Sequence, residues 1–232
     1  MSKPRLLGLI GGLSWYSTSI YYQTINRLVN ERLGSSHSAR ILLYSVDFEE
    51  FRLLQNKDDW PGVLAMLLHI AKLLEEDGAE CVMLCTNTPH LVADEIRQNI
   101  NVPLIHIAEV TAQAIVEAGL KNVGLVGTKF TMENPFFRDR LRHFGVDSIV
   151  PSEADRDYIH ASIFNELTRG HFKEGTKSEY AEIINRLQAA GAQGVIFGCT
   201  EISILVKPEN SRLPIFDTTV IHSRAAVDFA LS

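Results

Sequence analysis

Gly78-Ala79-Glu80-Cys81-Val82-Met83-Leu84-Cys85-Thr86-Asn87-Thr88-Pro89-His90 and Gly191-Ala192-Gln193-Gly194-Val195-Ile196-Phe197-Gly198-Cys199-Thr200-Glu201 are two versions of one phrase. Each opens on the Gly that closes a helix, continues as an apolar run with the length of a buried strand, and stops in a small polar cluster. Counting from the shared Gly-Ala pair fixes the register without gaps: Thr86 lies eight positions after Gly78, and Cys199 eight after Gly191. Thr86 therefore stands opposite Cys199. Pairing Cys85 with Cys199 instead would turn the side chain to the other face of a strand.

The repetition extends outward. Leu7-Gly8-Leu9-Ile10-Gly11-Gly12 resembles Val123-Gly124-Leu125-Val126-Gly127-Thr128, and Val102-Pro103-Leu104-Ile105 resembles Leu213-Pro214-Ile215-Phe216. Gly8 to Thr86 is 78 positions and Gly124 to Cys199 is 75. Strands are expected at Leu6–Ile10, Ile41–Val46, Cys81–Cys85, Leu104–Ile107, Val123–Val126, Val195–Phe197 and Ile215–Phe216, alternating with helical segments. Such alternation is the pattern of parallel sheets covered by helices. The expected fold is α/β, in two pseudo-symmetric halves that are each a parallel sheet flanked by helices: residues 1–108, with a C-terminal helix at 217–232 packing back on them, and residues 109–216. No Pro-rich or low-complexity linker separates the halves, so they are expected to share one cleft. In open parallel sheets ligands lie beyond the carboxyl ends of the strands, and Gly11, Thr86, Gly127 and Cys199 all fall there.

The 232 residues are 46% hydrophobic, enough to bury a core, and the net charge is −6. That charge, without a basic stretch interleaved with aromatics, argues against a nucleic-acid surface, so an acidic ligand would need a local anion site. No apolar run reaches membrane-spanning length, and Met1 to Arg5 with the strand that follows carry no signal-peptide pattern; a cytoplasmic protein is expected. The three cysteines form no disulfide framework. Neither H-E-x-x-H nor C-x-x-C occurs, and no lysine cluster suggests a Schiff base, so neither metal nor cofactor is expected. No complete G-x-G-x-x-G or P-loop is present.

Cys199 precedes Thr200 and Glu201 at the expected start of a short helix, whose positive end would lower the thiol pKa and favour a proton-abstracting thiolate. A small buried hydrophobe is the competing reading of the same cysteine. Its register match with Thr86 favours function: related halves facing one cleft would set the two side chains on opposite sides of a bound molecule. Backbone N–H groups of Gly11-Gly12-Leu13-Ser14, Asn87-Thr88 and Thr200-Glu201 suit binding of an anionic group.

Gly11-Gly12-Leu13-Ser14-Trp15-Tyr16-Ser17-Thr18, Thr86-Asn87-Thr88-Pro89-His90, Gly198-Cys199-Thr200-Glu201 and Phe216-Asp217-Thr218 together resemble the cofactor-independent aspartate/glutamate racemase family, over nearly the whole chain. The resemblance implies racemisation of a small acidic amino acid by two proton-transfer groups, with Thr86 and Cys199 in those positions. Leu13, Gln55, Asn87, Thr88, Thr200 and Glu201 are then the substrate contacts, Gln55 at the place where relatives reach the substrate side chain. Family members typically carry Cys in both central motifs. Thr86 in place of the first resembles a subgroup specific for L-aspartate and L-glutamate.

A threonine hydroxyl is a poor base, so Cys199 is expected to take the α-proton of the L-substrate while Thr86 delivers or relays a proton from the opposite face. Two other readings remain open: a related Cys-dependent isomerase or decarboxylase of the same superfamily, and a non-catalytic dicarboxylate binder. His90 either orients the polar cluster or caps a packing contact, and His160 is equally open. The apolar stretch Val63–Leu68 leaves room for a homodimer, or else packs on its own sheet.

Overall fold

The structure, a computed structural model, describes residues 3–232 and divides into two compact units. The first runs to Ile107 and includes His222–Ser232; the second is Ala108–Ile221.

In the first unit β1 (Leu7–Gly11) leads into α1 (Trp15–Leu33), β2 (Ile41–Ser45), α2 (Phe48–Asn56), α3 (Trp60–Glu76) and β3 (Cys81–Leu84). A 3₁₀ turn at Thr88–Val92 and α4 (Ala93–Arg97) follow. The sheet order is β2-β1-β3 and every pairing is parallel. Alternation of side chains across the strands feeds two cores. Leu7, Leu9, Cys81, Met83 and Cys85 face one way, packing with Tyr21, Ile25 and Val29 of α1 and with Ala226 and Val227. Ile10, Val82 and Leu84 face the other way, against Val63, Leu67, Ile70 and Leu74 of α3. The apolar face of α3 is thus consumed by its own unit, with Leu64, Met66 and Leu68 partly buried at its margin. Cys81 and Cys85 are core residues, and burial pushes the Cys81 thiol up to about 12 and Cys85 higher still.

The second unit contains α5 (Ile107–Glu117), which starts on the last residue of the first unit, then β4 (Asn122–Val126), α6 (Lys129–Glu133) and α7 (Pro135–His143). Next come β5 (Asp147–Ile149), α8 (Glu153–Asn165), α9 (Glu174–Ala189), β6 (Val195–Phe197), α10 (Ile202–Leu205) and β7 (Ile215–Asp217). Its parallel sheet has the order β5-β4-β6-β7. α9 buries Thr176, Tyr180, Ile183, Ile184 and Leu187, the spacing of one helical face. Leu187 approaches so closely that a Cβ on Gly124 would lie 2.8 Å from its Cδ1. The last helix, α11 (Thr218–Leu231), begins in this unit and supplies His222 onward to the first.

Two elements differ from expectation. Leu104–Ile107 forms no strand: a single bridge joins Leu104 to Val82, after which the chain buries His106 and turns into α5. Its counterpart Ile215–Asp217 does become β7, because three residues pair with β6. The edge strand β5 is additional; its Asp147 and Ser148 hide it from a search for apolar runs. None of the described helices is long and apolar enough to cross a membrane.

Candidate active site

Strand pairing reproduces the equivalence of Thr86 and Cys199 independently of the Gly-Ala count. In the first unit Ile10 of β1 pairs with Leu84 of β3; in the second Val126 of β4 pairs with Phe197 of β6. Ile10 and Val126 are matching positions of the repeat, and Thr86 and Cys199 each lie two residues past the paired strand end.

In the first unit the loops around Thr86 are tied together. Gly12, at φ +77°, sits where any Cβ would collide with the backbone of Val46. Its N–H donates to the Thr18 hydroxyl oxygen (2.9 Å), and that hydroxyl donates to the carbonyl of Ser14 (2.9 Å). Ser14 caps α1 at φ 142°, a conformation non-glycine residues avoid, held by these bonds at the helix entry. Ser17 donates from its hydroxyl to the carbonyl of Cys85 (2.8 Å), joining α1 to the end of β3. The His90 Nδ1 lies 2.9 Å from the carbonyl oxygen of Thr86 and 3.2 Å from that of Asn87. Both partners accept only, so Nδ1 carries the proton.

Beneath this turn the His90 ring contacts His106 (centroids 4.8 Å apart) and His222 (5.6 Å), all three buried. His222 Nε2 donates to the carbonyl of Ile105 (2.8 Å), which leaves Nδ1 to accept from the Tyr21 hydroxyl (2.9 Å). Burial first, and then neighbouring imidazole charge, holds His90 well below its ordinary range. His222 falls to about 3, chiefly through burial.

In the second unit the corresponding loops centre on Cys199, which is half-buried. Its thiol donates to Glu201 Oε2 (2.9 Å), and the Glu201 side chain is itself buried. Burial, the Glu201 charge and this hydrogen bond together hold the thiol well above its ordinary pKa. The expected lowering at the helix entry is confined to the Glu201 backbone N–H and is outweighed by burial and by the Glu201 carboxylate, which sits at the entry of the four-residue α10. A thiol that donates to a carboxylate already has a proton acceptor in place. The loop is braced by Gly198 N–H donating to Val126 (2.7 Å) and by the Thr218 hydroxyl donating to Phe197 (2.9 Å). Gly127 packs against it closely: a Cβ there would stand 3.2 Å from the Gly198 carbonyl oxygen.

Asn87 and Thr88 stand with Thr86 in the first unit, Thr200 and Glu201 with Cys199 in the second. Leu13 follows Gly12, but its side chain is buried in the core, so only its backbone is available to a ligand. Gln55 is half-buried near the end of α2. A cavity of about 210 Å³ at the end of β2, lined by Asp47, Glu50 and His69 among others, includes none of these residues. Ser17 and Thr18 were visible in the quoted motif without a role. Tyr21, His106 and His222 carry no sequence signal at all, being joined only by folding. His160, half-buried, accepts from the Lys129 backbone N–H at 3.3 Å and packs its ring at a tilt against Phe164, with centroids 4.8 Å apart. Among the described residues no group of three or more His, Cys, Asp or Glu side chains is arranged to hold a metal ion.

Comparison with known proteins finds relatives over nearly the whole chain. A crystal structure of a candidate Asp/Glu racemase from Yersinia pestis is 46% identical, with a TM-score of 0.95, over 98% of this chain and all of that one. That of an aspartate racemase homologue from Pyrococcus horikoshii OT3 is 33% identical, with a TM-score of 0.89, over the full length of both. The broad specificity amino-acid racemase RacX of Bacillus subtilis (strain 168) is 22% identical over 98% of this chain and 99% of its own. The family model for Asp/Glu/hydantoin racemases matches residues 10–226, and the chain belongs to that family of isomerases.

Proposed function

We propose that this protein is a cofactor-independent racemase of small acidic amino acids, in which Cys199 takes the α-proton of the L-substrate and Thr86 supplies a proton on the opposite face. The carrying observation is the strand-register equivalence of the two residues: duplicated halves offer one proton-transfer position each, and here the positions hold a thiol and an alcohol. Glu201 takes the thiol proton, the resulting thiolate takes the α-proton, and the planar carbanion is reprotonated through the Thr86 hydroxyl, with water as the proton source. Backbone N–H groups of the Gly12–Ser14 turn and of Asn87 and Thr88 suit the substrate carboxylate, which gathers charge as the carbanion forms. Mirror-image substrates have equal free energies, so kcat/KM is equal in the two directions and any L-preference resides in kcat or KM separately. The similarity to aspartate racemase-like chains favours aspartate and glutamate over neutral amino acids.

Incubation with L-glutamate or L-aspartate in D₂O should deuterate the α-carbon and yield the D-isomer. Cys199→Ser should abolish both, while Thr86→Ala should keep deuteration of the L-isomer and lose the D-product. Thr86→Cys should raise turnover of the D-isomer. Binding of the dicarboxylate without any α-deuteration would replace the racemase with a non-catalytic binder, and deuteration confined to neutral amino acids would overturn the substrate class.

A further inference from the structure

Resting on the racemase reading, we propose that His90 is a positioning residue of the Thr86 half-site: its Nδ1–H holds the carbonyls of Thr86 and Asn87 and thereby aims the next two backbone N–H groups, of Asn87 and Thr88, away from the core. A trans peptide sets its C=O and N–H in opposite directions, so capture of one carbonyl fixes where the following N–H points. The described residues contain no cis peptide bond. Two consecutive carbonyls are captured, at 2.9 and 3.2 Å, and the His90 backbone N–H reinforces the second from 3.1 Å.

Packing alone does not explain an imidazole here. His90 is 2% exposed and its Nε2 is buried without a hydrogen-bond partner. Leaving a buried polar nitrogen unsatisfied is destabilising, a cost that an apolar side chain of the same shape would avoid. What the imidazole adds over such a side chain is the Nδ1 donor. His106 and His222 lie against the ring, so a second proton on it would place positive charge beside two further imidazoles. His90 therefore stays neutral with its proton on Nδ1, and the donor is permanent.

The test exploits side-chain geometry: the amide nitrogen of Asn occupies the place of Nδ1, and that of Gln the place of Nε2. His90→Asn, His90→Gln and His90→Ala would be assayed beside the wild type with L-glutamate in D₂O, reading α-deuteration of the L-isomer and D-glutamate formation separately. Folding would be followed by the thermal midpoint. Misaiming catalytic groups by about 1 Å costs on the order of 100-fold, so His90→Ala and His90→Gln should lose that much in kcat for D-glutamate, with a smaller loss of L-deuteration. His90→Asn should recover most of the rate. Equal rates in the Asn and Gln variants, or losses that follow only the thermal midpoint, would reduce His90 to a packing residue. A wild type that neither deuterates nor racemises would instead remove the racemase reading itself, and this inference with it.

Discussion

At the residue scale, the decisive pair is Cys199 and Glu201. Two residues apart in sequence, they meet side chain to side chain because the chain turns between β6 and α10. The carboxylate has two opposing effects on the sulfur. Its charge holds the thiol protonated, and its oxygen accepts the thiol's hydrogen bond, which in the proposed mechanism is the route by which that proton leaves. Glu201→Gln removes both effects, so the thiol pKa should fall toward the ordinary range while racemisation drops. Iodoacetamide should then label Cys199 faster at pH 7 to 8 in the variant than in the wild type. Cys81 and Cys85 should contribute little, since burial raises both thiols. Labelling that is unchanged or slower in the variant would show that Glu201 does not control the sulfur.

At the scale of elements, the loop between β1 and α1 is set by a glycine with no substitute. Gly12 combines a positive φ with close backbone contact from Val46, whereas Gly145 at the end of α7 has φ +75° and open space around its Cβ position. Gly145→Ala should cost about 1 kcal/mol, the strain of the left-handed region alone. Gly12→Ala should cost more and also displace the Ser14 turn, reducing turnover where Gly145→Ala does not. Urea midpoints with parallel rate measurements separate the two, and equal activity in both variants would mean that the turn has no part in the site. Continuous apolar runs made this strand and its neighbours legible in the sequence; β5, short and polar at a sheet edge, was not.

At the scale of the whole molecule, the first unit depends on chain segments far apart in sequence, and its histidines record this. Residues 90, 106 and 222 assemble one buried imidazole group, joined by Tyr21 from α1. His222 falls from an ordinary 6.5 to about 3, mainly through burial, with the His106 charge acting the same way and the Ile105 carbonyl opposing. The unfolded chain therefore binds this proton more readily than the folded one. Stability is fully present above pH 6.5 and is lost as pH falls toward 3, at up to about 1.4 kcal/mol per pH unit for each such histidine. Urea midpoints at pH 7 and pH 4.5 should show the loss, and His222→Gln, which keeps a donor for Ile105 but cannot titrate, should make it shallower. An identical acid slope in that variant would exclude His222 as its source.

The duplication, the parallel α/β class and the equivalence of Thr86 and Cys199 within the repeat were determined by the sequence alone, because apolar runs and a fixed count from Gly-Ala are properties of neighbouring residues. Tertiary structure decided the rest. The thiol's protonation, the tautomer of His90 and the conversion of Leu104–Ile107 from strand to bridge depend on burial and on partners brought from elsewhere in the chain. A local pattern records which face a side chain takes, but the electrostatic environment of that face is set by groups that only folding brings together.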